Sequence, residues 1–493
     1  MGEQYDIKVL FKYLVILVAI MAACKVSAGF AAIIVPIMVI CAISRDKPVM
    51  LIFLMILSMF FAVSNRKLFA NNAVTILTAR VTLIIMTGLL ATKLFSGGRE
   101  ARVVTPFWGV FAYVLWECAV SLQGWEPIIS YLKLILFFAI FLGLLAAVNQ
   151  VNRSTRTNAK ILRSALLAML CFLIFGSVLL IPFDVGMMAR DDASLAAMKA
   201  GEFTSLFMGM TCHSQALGPM TAILGTFLLA DLVFSIKRWD KLYVALLLCC
   251  PLLIIRSSSR TGMGTLIAGC GMVAFLALRA RGLGAHWKGK LMSVMVILAV
   301  IGGVSGVAVP AVRERLAQYV LKYGKDTKGM TSEDIFASRQ KKFDEMFAHI
   351  KQKPLQGHGF QVSEEFLYEK RHGFLEYLSA PVEKGTWIFA IVEEGGAIGM
   401  ILFCGWLVFL IPALIKRHAY IGVCTFWAFL TANLGEFSIF AMSYIGGLFW
   451  SFVIAGLCLD VQRMKSQQLP VFFVPIEQVM AEVGMDEWVR RQG

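Results

Sequence analysis

The sequence is short of acid: 31 Asp and Glu stand against 46 Lys and Arg, a formal net charge of +15. This excess does not mark a nucleic-acid partner. The basic residues sit in short clusters between apolar runs, as the positive-inside bias of membrane proteins expects. Histidine is scarce, with six in 493 residues. Eleven cysteines form no CxxC pair and no His/Cys ligand spacing, and ten of them lie inside apolar runs, Cys212 being the exception near a membrane face. A structural disulfide framework and a zinc site are both excluded as expectations. An internal repeat of the kind that marks many transporters is missing, as is any low-complexity tract. Long polar stretches are also missing, except for one.

What is abundant is apolar side chain, 59% of the total, with a mean hydropathy of +0.76. A soluble chain of this length cannot hide so much, so the solvent is lipid. With about twenty apolar residues per helical span, candidate spans fall near 10–24, 27–43, 48–63, 74–95, 105–121, 128–149, 161–182, 214–235, 242–255, 261–279, 290–309, 387–415, 419–434 and 438–459. The expected fold is an all-α polytopic membrane protein of about fourteen transmembrane helices, with one large polar loop between the eleventh and twelfth. Lys8, Lys12 and the apolar Tyr13–Ala23 resemble a signal peptide. A second apolar run, Phe30–Ile43, follows at once, so an uncleaved first span is the better reading.

Orientation follows from the basic loops. Alternating spans put five clusters on one side: Arg153/Arg156/Lys160, Lys237/Arg238/Lys241, Arg279/Arg281/Lys288/Lys290, Lys416/Arg417 and Arg463/Lys465. That side is expected to be cytoplasmic. The opposite side then receives Asp184–His213, Arg256–Thr261 and the polar island from Ala311 to Gly385. The expected organisation is an N-terminal bundle (1–183), central spans with short polar patches (184–309), the large outer loop (310–386), C-terminal spans (387–460) and a cytoplasmic tail (461–493), in which Ile476, Val479, Met480 and Val483 have helical spacing.

Three patches carry candidate chemistry. In RSSSRTGMG, Arg256 and Arg260 are four residues apart, and the serines between them can cap the helix that Arg260 opens. A cation in a first helical turn opposes the helix dipole, and a bound anion would resolve the conflict. The plain alternative is two arginines snorkelling to a membrane face, although a buried intramembrane arginine costs roughly 2.5–3.5 kcal/mol. In TCHSQALGP, His213 sits at a helix start with Arg190 upstream, where a neutral imidazole can meet a hydroxyl or phosphate or serve structure alone. Gly218 and Pro219 point to close helix packing. In the island, Phe336, Phe343, Met346, Phe347 and Ile350 form a stripe that predicts an amphipathic surface helix over Ile335–Gln352, carrying Arg339 and ended by Pro354 and the GHG turn around His358. PVEKGTWIFAIVEEGGAIG then returns the chain to the membrane. Glu383 is the best-placed general base, His372 and His358 are rivals, and Lys384 can bind phosphate or pair with Glu383. Glu393 or Glu394 can pair with an outer-face arginine.

Four features in order, HSQALG, SSSRTG, SRxxxF…PLQGHGF and EKGTWIFAIVEEGGAIG, resemble the O-antigen ligase and Wzy-type polysaccharide polymerase family over roughly Asp184–Asp460. The resemblance implies a GT-C-like, multi-pass inner-membrane glycosyltransferase. It would use an undecaprenyl-diphosphate-linked glycan as donor at the periplasmic face, without nucleotide, metal or other cofactor. It implies that Arg260, with Arg256 and Arg339, holds the diphosphate. Arg190, His213 and His358 would contact substrate, and Glu383, Lys384 or His372 would serve the catalysis. Many members place a His-Asn pair before the final glycine-rich signature, where this chain has Lys384–Thr386. Polymerisation of repeat units is the expected reaction; transfer of glycan to lipid A core is the alternative, and a lipid-linked sugar transporter is a third reading. The partners expected are the lipid-linked glycan, the bilayer, and chain-length regulators or export proteins.

Overall fold

The apolar runs become helices because lipid offers no partner for a backbone N–H or C=O, so each must be satisfied within its own segment. The computed structural model describes residues 5–26, 28–45, 47–65, 67–68, 99–100, 103–154, 159–187, 207–236, 240–257, 259–279, 343–362, 384–435, 437–442, 445–466 and 474–475. Among these, the helices are α1 (Ile7–Val26), α2 (Ala28–Ser44), α3 (Pro48–Val63), α4 (Val110–Ser121), α5 (Pro127–Arg153), α6 (Ala159–Leu179), α7 (Ser214–Phe234), α8 (Lys241–Arg256) and α9 (Arg260–Arg279). They continue with α10 (343–352), α11 (Trp387–Lys416), α12 (Tyr420–Ala432) and α13 (Ile445–Ser466). A two-residue antiparallel pairing joins Arg99–Glu100 to Val474–Pro475.

Seven helices, α1, α5, α6, α7, α9, α11 and α13, are long and apolar enough to cross a membrane. Helices α2, α3, α4, α8 and α12 also fall on predicted spans but have 17, 16, 12, 16 and 13 residues. The predicted spans near 74–95 and 290–309 lie outside the described residues, as do the first part of the predicted surface helix and the amphipathic tail.

Helices α7 and α13 form the centre. Both are buried along nearly their whole length. Helix α7 packs against α8, α9 and α12, and α13 against α3, α5 and α12; α1 leans on α6, and α11 on α4. Small residues make these approaches close, as expected where van der Waals packing drives helix association in lipid. A Cβ on Gly269 would lie 2.0 Å from Thr226 Oγ1, and one on Gly422 would lie 2.4 Å from Leu457 Cδ2. The lipid-facing sides keep large apolar groups exposed, such as Phe409 and Ile401.

The two ends of the bundle differ. At one end the basic helix termini gather. Arg463 donates to the His418 carbonyl and to Asp460, while Gln462 and Lys465 reach the carbonyls that end α5. At the other end, Cys212 N–H donates to the Val63 carbonyl, and Asn65 Nδ2 donates to Gly209 O and Val185 O. A buried ion pair that the sequence reading does not anticipate lies among the helices themselves. Arg163 meets Asp231 at 2.8 and 3.0 Å, and Tyr243 donates to the same carboxylate at 2.5 Å, deep in the basic half of the bundle. Among the contacts described, this triad binds α6, α7 and α8 together.

Candidate functional site

The site is built from two glycine motifs that lock together. Helix α11 is interrupted at Gly396, whose φ of +66° and ψ of −167° suit glycine alone. The interruption exposes backbone groups that a continuous helix would use internally. The turn after α10 takes them: Ala397 N–H donates to Pro354 O at 2.8 Å, His358 N–H to Glu393 O at 2.9 Å, and Gly359 N–H to Glu394 O at 3.0 Å. Only glycines permit the approach. A Cβ on Gly357 would stand 2.2 Å from Glu394 O, and one on Gly396 would stand 2.2 Å from the Leu355 carbonyl. PLQGHGF and EEGGAIG, separate in sequence, are therefore one backbone-paired unit. Trp116 Nε1–H closes it from α4 by donating to Gly395 O at 2.6 Å.

Backbone pairing fixes where the side chains of Glu393 and Glu394 point. The Lys384 ammonium lies between them, 2.9 Å from Glu393 Oε2 and 3.0 Å from Glu394 Oε1, all three residues no more than 3% exposed. Gly385, at φ +73°, turns the chain so that Lys384 faces back into the helix it precedes. Burial alone would pull the Lys384 ammonium down; the two carboxylates outweigh it and hold the group above the usual lysine value. From helix α10, His349 Nδ1 reaches Glu393 Oε1 at 2.7 Å. On the inner side, Glu117 of α4 is fully buried within electrostatic range of Glu394 and Lys384. Its carboxylate occupies the space left by Gly395 and Gly399. Lys133 of α5 donates to Gln361 O at 2.8 Å and also faces Glu394. Three carboxyl groups and two ammonium groups thus share one buried cluster, with an imidazole at its rim.

The arginine patch is organised by the same small-residue logic. Ser259 Oγ accepts Gly262 N–H at 3.0 Å and so caps α9, which begins at Arg260. Ser257 and Ser259 press on Gly218 of α7, where a Cβ would come within 2.1 Å of Ser259 Cβ. His213 caps α7 in turn: its Nδ1 accepts Gln215 N–H at 3.0 Å, leaving Nε2 as the donor nitrogen of the neutral ring. Arg256 ends α8, and its Nε is buried with no partner among the described residues. Thr261 packs on Gly435, and the same turn offers Asn433 O to Trp387 N–H at 3.0 Å. The 433–435 turn thereby ties the start of α9 to the segment carrying Lys384.

Five of the nine residues predicted for the site are described. His213, Arg256 and Arg260 open or close neighbouring helices at one end, and Lys384 and His358 join the glycine unit. Arg190, Arg339, His372 and Glu383 lie outside the described residues. Two readings change. Lys384 is expected to bind phosphate or pair with Glu383, and Glu393 or Glu394 to pair with an arginine; the structure pairs Lys384 with both of those glutamates, because buried carboxylates need a counter-charge at contact distance. His358 is expected to meet substrate or act as base. It is buried instead, stacked on Trp125 with ring centroids 4.0 Å apart, and its Nε2–H donates to His349 O at 2.8 Å. Burial, only partly offset by that bond, holds its imidazole below the usual histidine value and so neutral.

The sequence reading passes over His349, Glu117 and Lys133. His349 is a polar member of an amphipathic helix, and nothing in its spacing to Glu393 announces the contact. Glu117 and Lys133 do carry a signal, since an ionisable residue inside an apolar span is a functional candidate with a partner to be found.

Comparison with known proteins adds one finding: residues 244–404 match the family described as O-antigen ligase. The matched segment runs from α8 into α11 and holds Arg256, Arg260, His349, His358, Lys384 and both α11 glutamates. No curated protein matches the chain.

Proposed function

We propose, from the match of residues 244–404 to the family described as O-antigen ligase, that the chain polymerises undecaprenyl-diphosphate-linked oligosaccharide repeats at the periplasmic face of the inner membrane. The donor sugar leaves its carrier by direct displacement: an acceptor hydroxyl attacks the anomeric carbon as a base takes its proton. Arg260, with Arg256 and Arg339, stabilises the negative charge that develops on the departing diphosphate. His213 and Arg190 contact the substrate. A cap serine, helix N–H groups and a guanidinium at one helix start form the arrangement that favours an anionic ligand.

The observation that carries this reading is the start of α9. Arg260 opens the helix against its dipole, four residues after Arg256, whose Nε is buried. Two cations spent at one helix junction make sense opposite an anion. Basic helix termini collect at the far end of the bundle, which supports a periplasmic site through the positive-inside bias.

The test is purified protein in lipid nanodiscs given undecaprenyl-diphosphate-linked repeat. Products longer than one repeat support polymerisation. Transfer only onto added lipid A core makes the protein a ligase with the same donor chemistry. No product with either acceptor sinks the reading. Arg260→Ala is expected to lower turnover about 100-fold or more, the loss typical of one electrostatic stabiliser, while the protein remains inserted; wild-type product length in that variant would overturn the anion assignment.

A further inference from the structure

We propose that Glu117 and Glu394 hold one exchangeable proton between them inside the membrane, and that this proton locks α4 onto the glycine unit of α11. The site is independent of the glycosyl-transfer chemistry. Glu117 lies within the apolar run of α4 and is fully buried. No described N–H or ammonium group donates to either of its oxygens. Its Oε1 is pressed on the backbone of α11, where a Cβ on Gly395 would stand 2.2 Å from it and one on Gly399 3.4 Å. Tyr113, one helical turn earlier, turns its buried hydroxyl toward Glu117, and that hydroxyl has no other partner among the described residues.

The charges nearby do not neutralise Glu117. Glu394, of the same sign, acts on it more strongly than Lys384 does. The Lys384 ammonium is already engaged, 2.9 Å from Glu393 and 3.0 Å from Glu394. Lys133 donates to Gln361 O at 2.8 Å. An ionised carboxylate with neither donors nor a contacting cation does not persist in apolar surroundings; it takes up a positive charge. Two carboxyl groups facing one another do so by sharing a proton. A proton needs one or two oxygens, which this place supplies, whereas a hard metal cation takes about six or more. Bound on Glu117, the proton provides the hydrogen that the pair otherwise lacks, donated to the Glu394 carboxylate.

The proton sits where α4 meets α11. Trp116 Nε1–H holds Gly395 O at 2.6 Å, and the neighbouring Glu117 fills the space beside that same glycine. With the proton lost, two like charges face each other across this contact. The titratable groups around Glu117 are Tyr113 and Cys118 on α4, Glu394 on α11 and Lys384 before it. Lys133 on α5 faces Glu394 and Lys384, while Glu393 and His358 face one another on the far side. The turn Thr105–Gly109 that leads into α4 carries no titratable side chain. An ionisable residue inside an apolar span is a functional candidate by default, and proton sites are a common form of it.

The experiment uses full-length protein in nanodiscs and reads the infrared C=O stretch of protonated carboxyl groups across neutral to alkaline pH. Wild type should show a band at neutral pH that Glu117→Gln lacks, and the band should bleach as pH rises. Above the ordinary carboxylate range the unfolded chain has released this proton and the folded protein keeps it, so stability falls as pH rises until the folded protein releases it too. The unfolding constant of wild type should therefore climb about tenfold per pH unit relative to Glu117→Gln. Glutamine has the shape of the protonated acid, so this variant should keep the wild-type fold at neutral pH; Glu394→Gln gives the same comparison if it does not. A wild type with no protonated-carboxyl band at neutral pH, or an equal band in the variants, overturns the proposal. Stabilisation of wild type by sodium chloride over choline chloride, at fixed pH and ionic strength and absent in Glu117→Gln, would make the ligand a metal cation and also overturn it.

Discussion

Replacing Lys384 by methionine removes a cation that contacts two buried carboxylates. The lysine stands 2.9 and 3.0 Å from Glu393 and Glu394, at 3% exposure. At an effective dielectric of ~20, each contact carries about 5–6 kcal/mol of Coulomb attraction. The cost of taking the charges out of water offsets most of it. What remains on breaking such a pair from one side is about 3–5 kcal/mol, because the partner charges stay buried and uncompensated. Lys384→Met should therefore destabilise the protein by that amount, read as a lower midpoint in thermal or detergent denaturation. The triple change Lys384→Met, Glu393→Gln, Glu394→Gln should recover more than half of the loss, since it removes the stranded charges along with the cation. A Lys384→Met protein within about 0.5 kcal/mol of wild type, the range of an ordinary surface change, would refute the claim that this ion pair organises the membrane return. A triple variant no better than the single would locate the effect in packing rather than charge.

Two further expectations follow from the same unit. Gly396→Ala places a Cβ 2.2 Å from the Leu355 carbonyl at a φ of +66°; the backbone conformation alone costs about 1–3 kcal/mol for a non-glycine residue, and glycan transfer should be lost, whereas Gly264→Ala, with nothing within 4 Å of the new atom, should be neutral or mildly stabilising as helix propensity dictates. His358 should make the 354–360 turn acid-sensitive. Burial lowers its affinity for a proton in the folded state, so below the ordinary value of 6.5 the unfolded chain binds more protons than the folded one, and stability falls as pH falls through that region and is complete above it. His358→Phe keeps the stack on Trp125 without the titration, and its stability should be flat from pH 7 to about 5; an equal acid loss in both proteins, measured by Trp fluorescence melts, would assign the effect elsewhere.

Much of this protein is written in its hydrophobic pattern. The apolar runs mark the helices, since a span in lipid must satisfy its own hydrogen bonds, and each predicted span within the described residues holds a helix over most of its length. SSSRTG announces a cap, and Ser259 provides one to α9. Gly218 announces close packing, and the Ser257–Ser259 turn sits on it. The segment 343–352 shows the apolar stripe of a surface helix, and its Phe343 and Phe347 rest on Phe389 of α11. These features are local: caps, periodicity and small residues depend on neighbours within a turn or two of the chain.

Tertiary structure decided everything that depends on charge meeting charge. By sequence alone Lys384 has Glu383 beside it and Glu393 nine residues off, and the nearer carboxylate is the natural partner. A left-handed glycine at 385 and a broken helix at Gly396 bring the two farther carboxylates, Glu393 and Glu394, onto it. No periodicity brings His349 to Glu393 across 44 residues, or Glu117 from α4 to Glu394. Such contacts are set by how backbones dock, and docking is set by where glycine lets two carbonyl-lined segments touch. The sequence determined which residues form helices and where this chain is polar. The fold alone determined which of the polar groups face one another, because a buried charge takes whatever partner the packing of distant elements delivers to it.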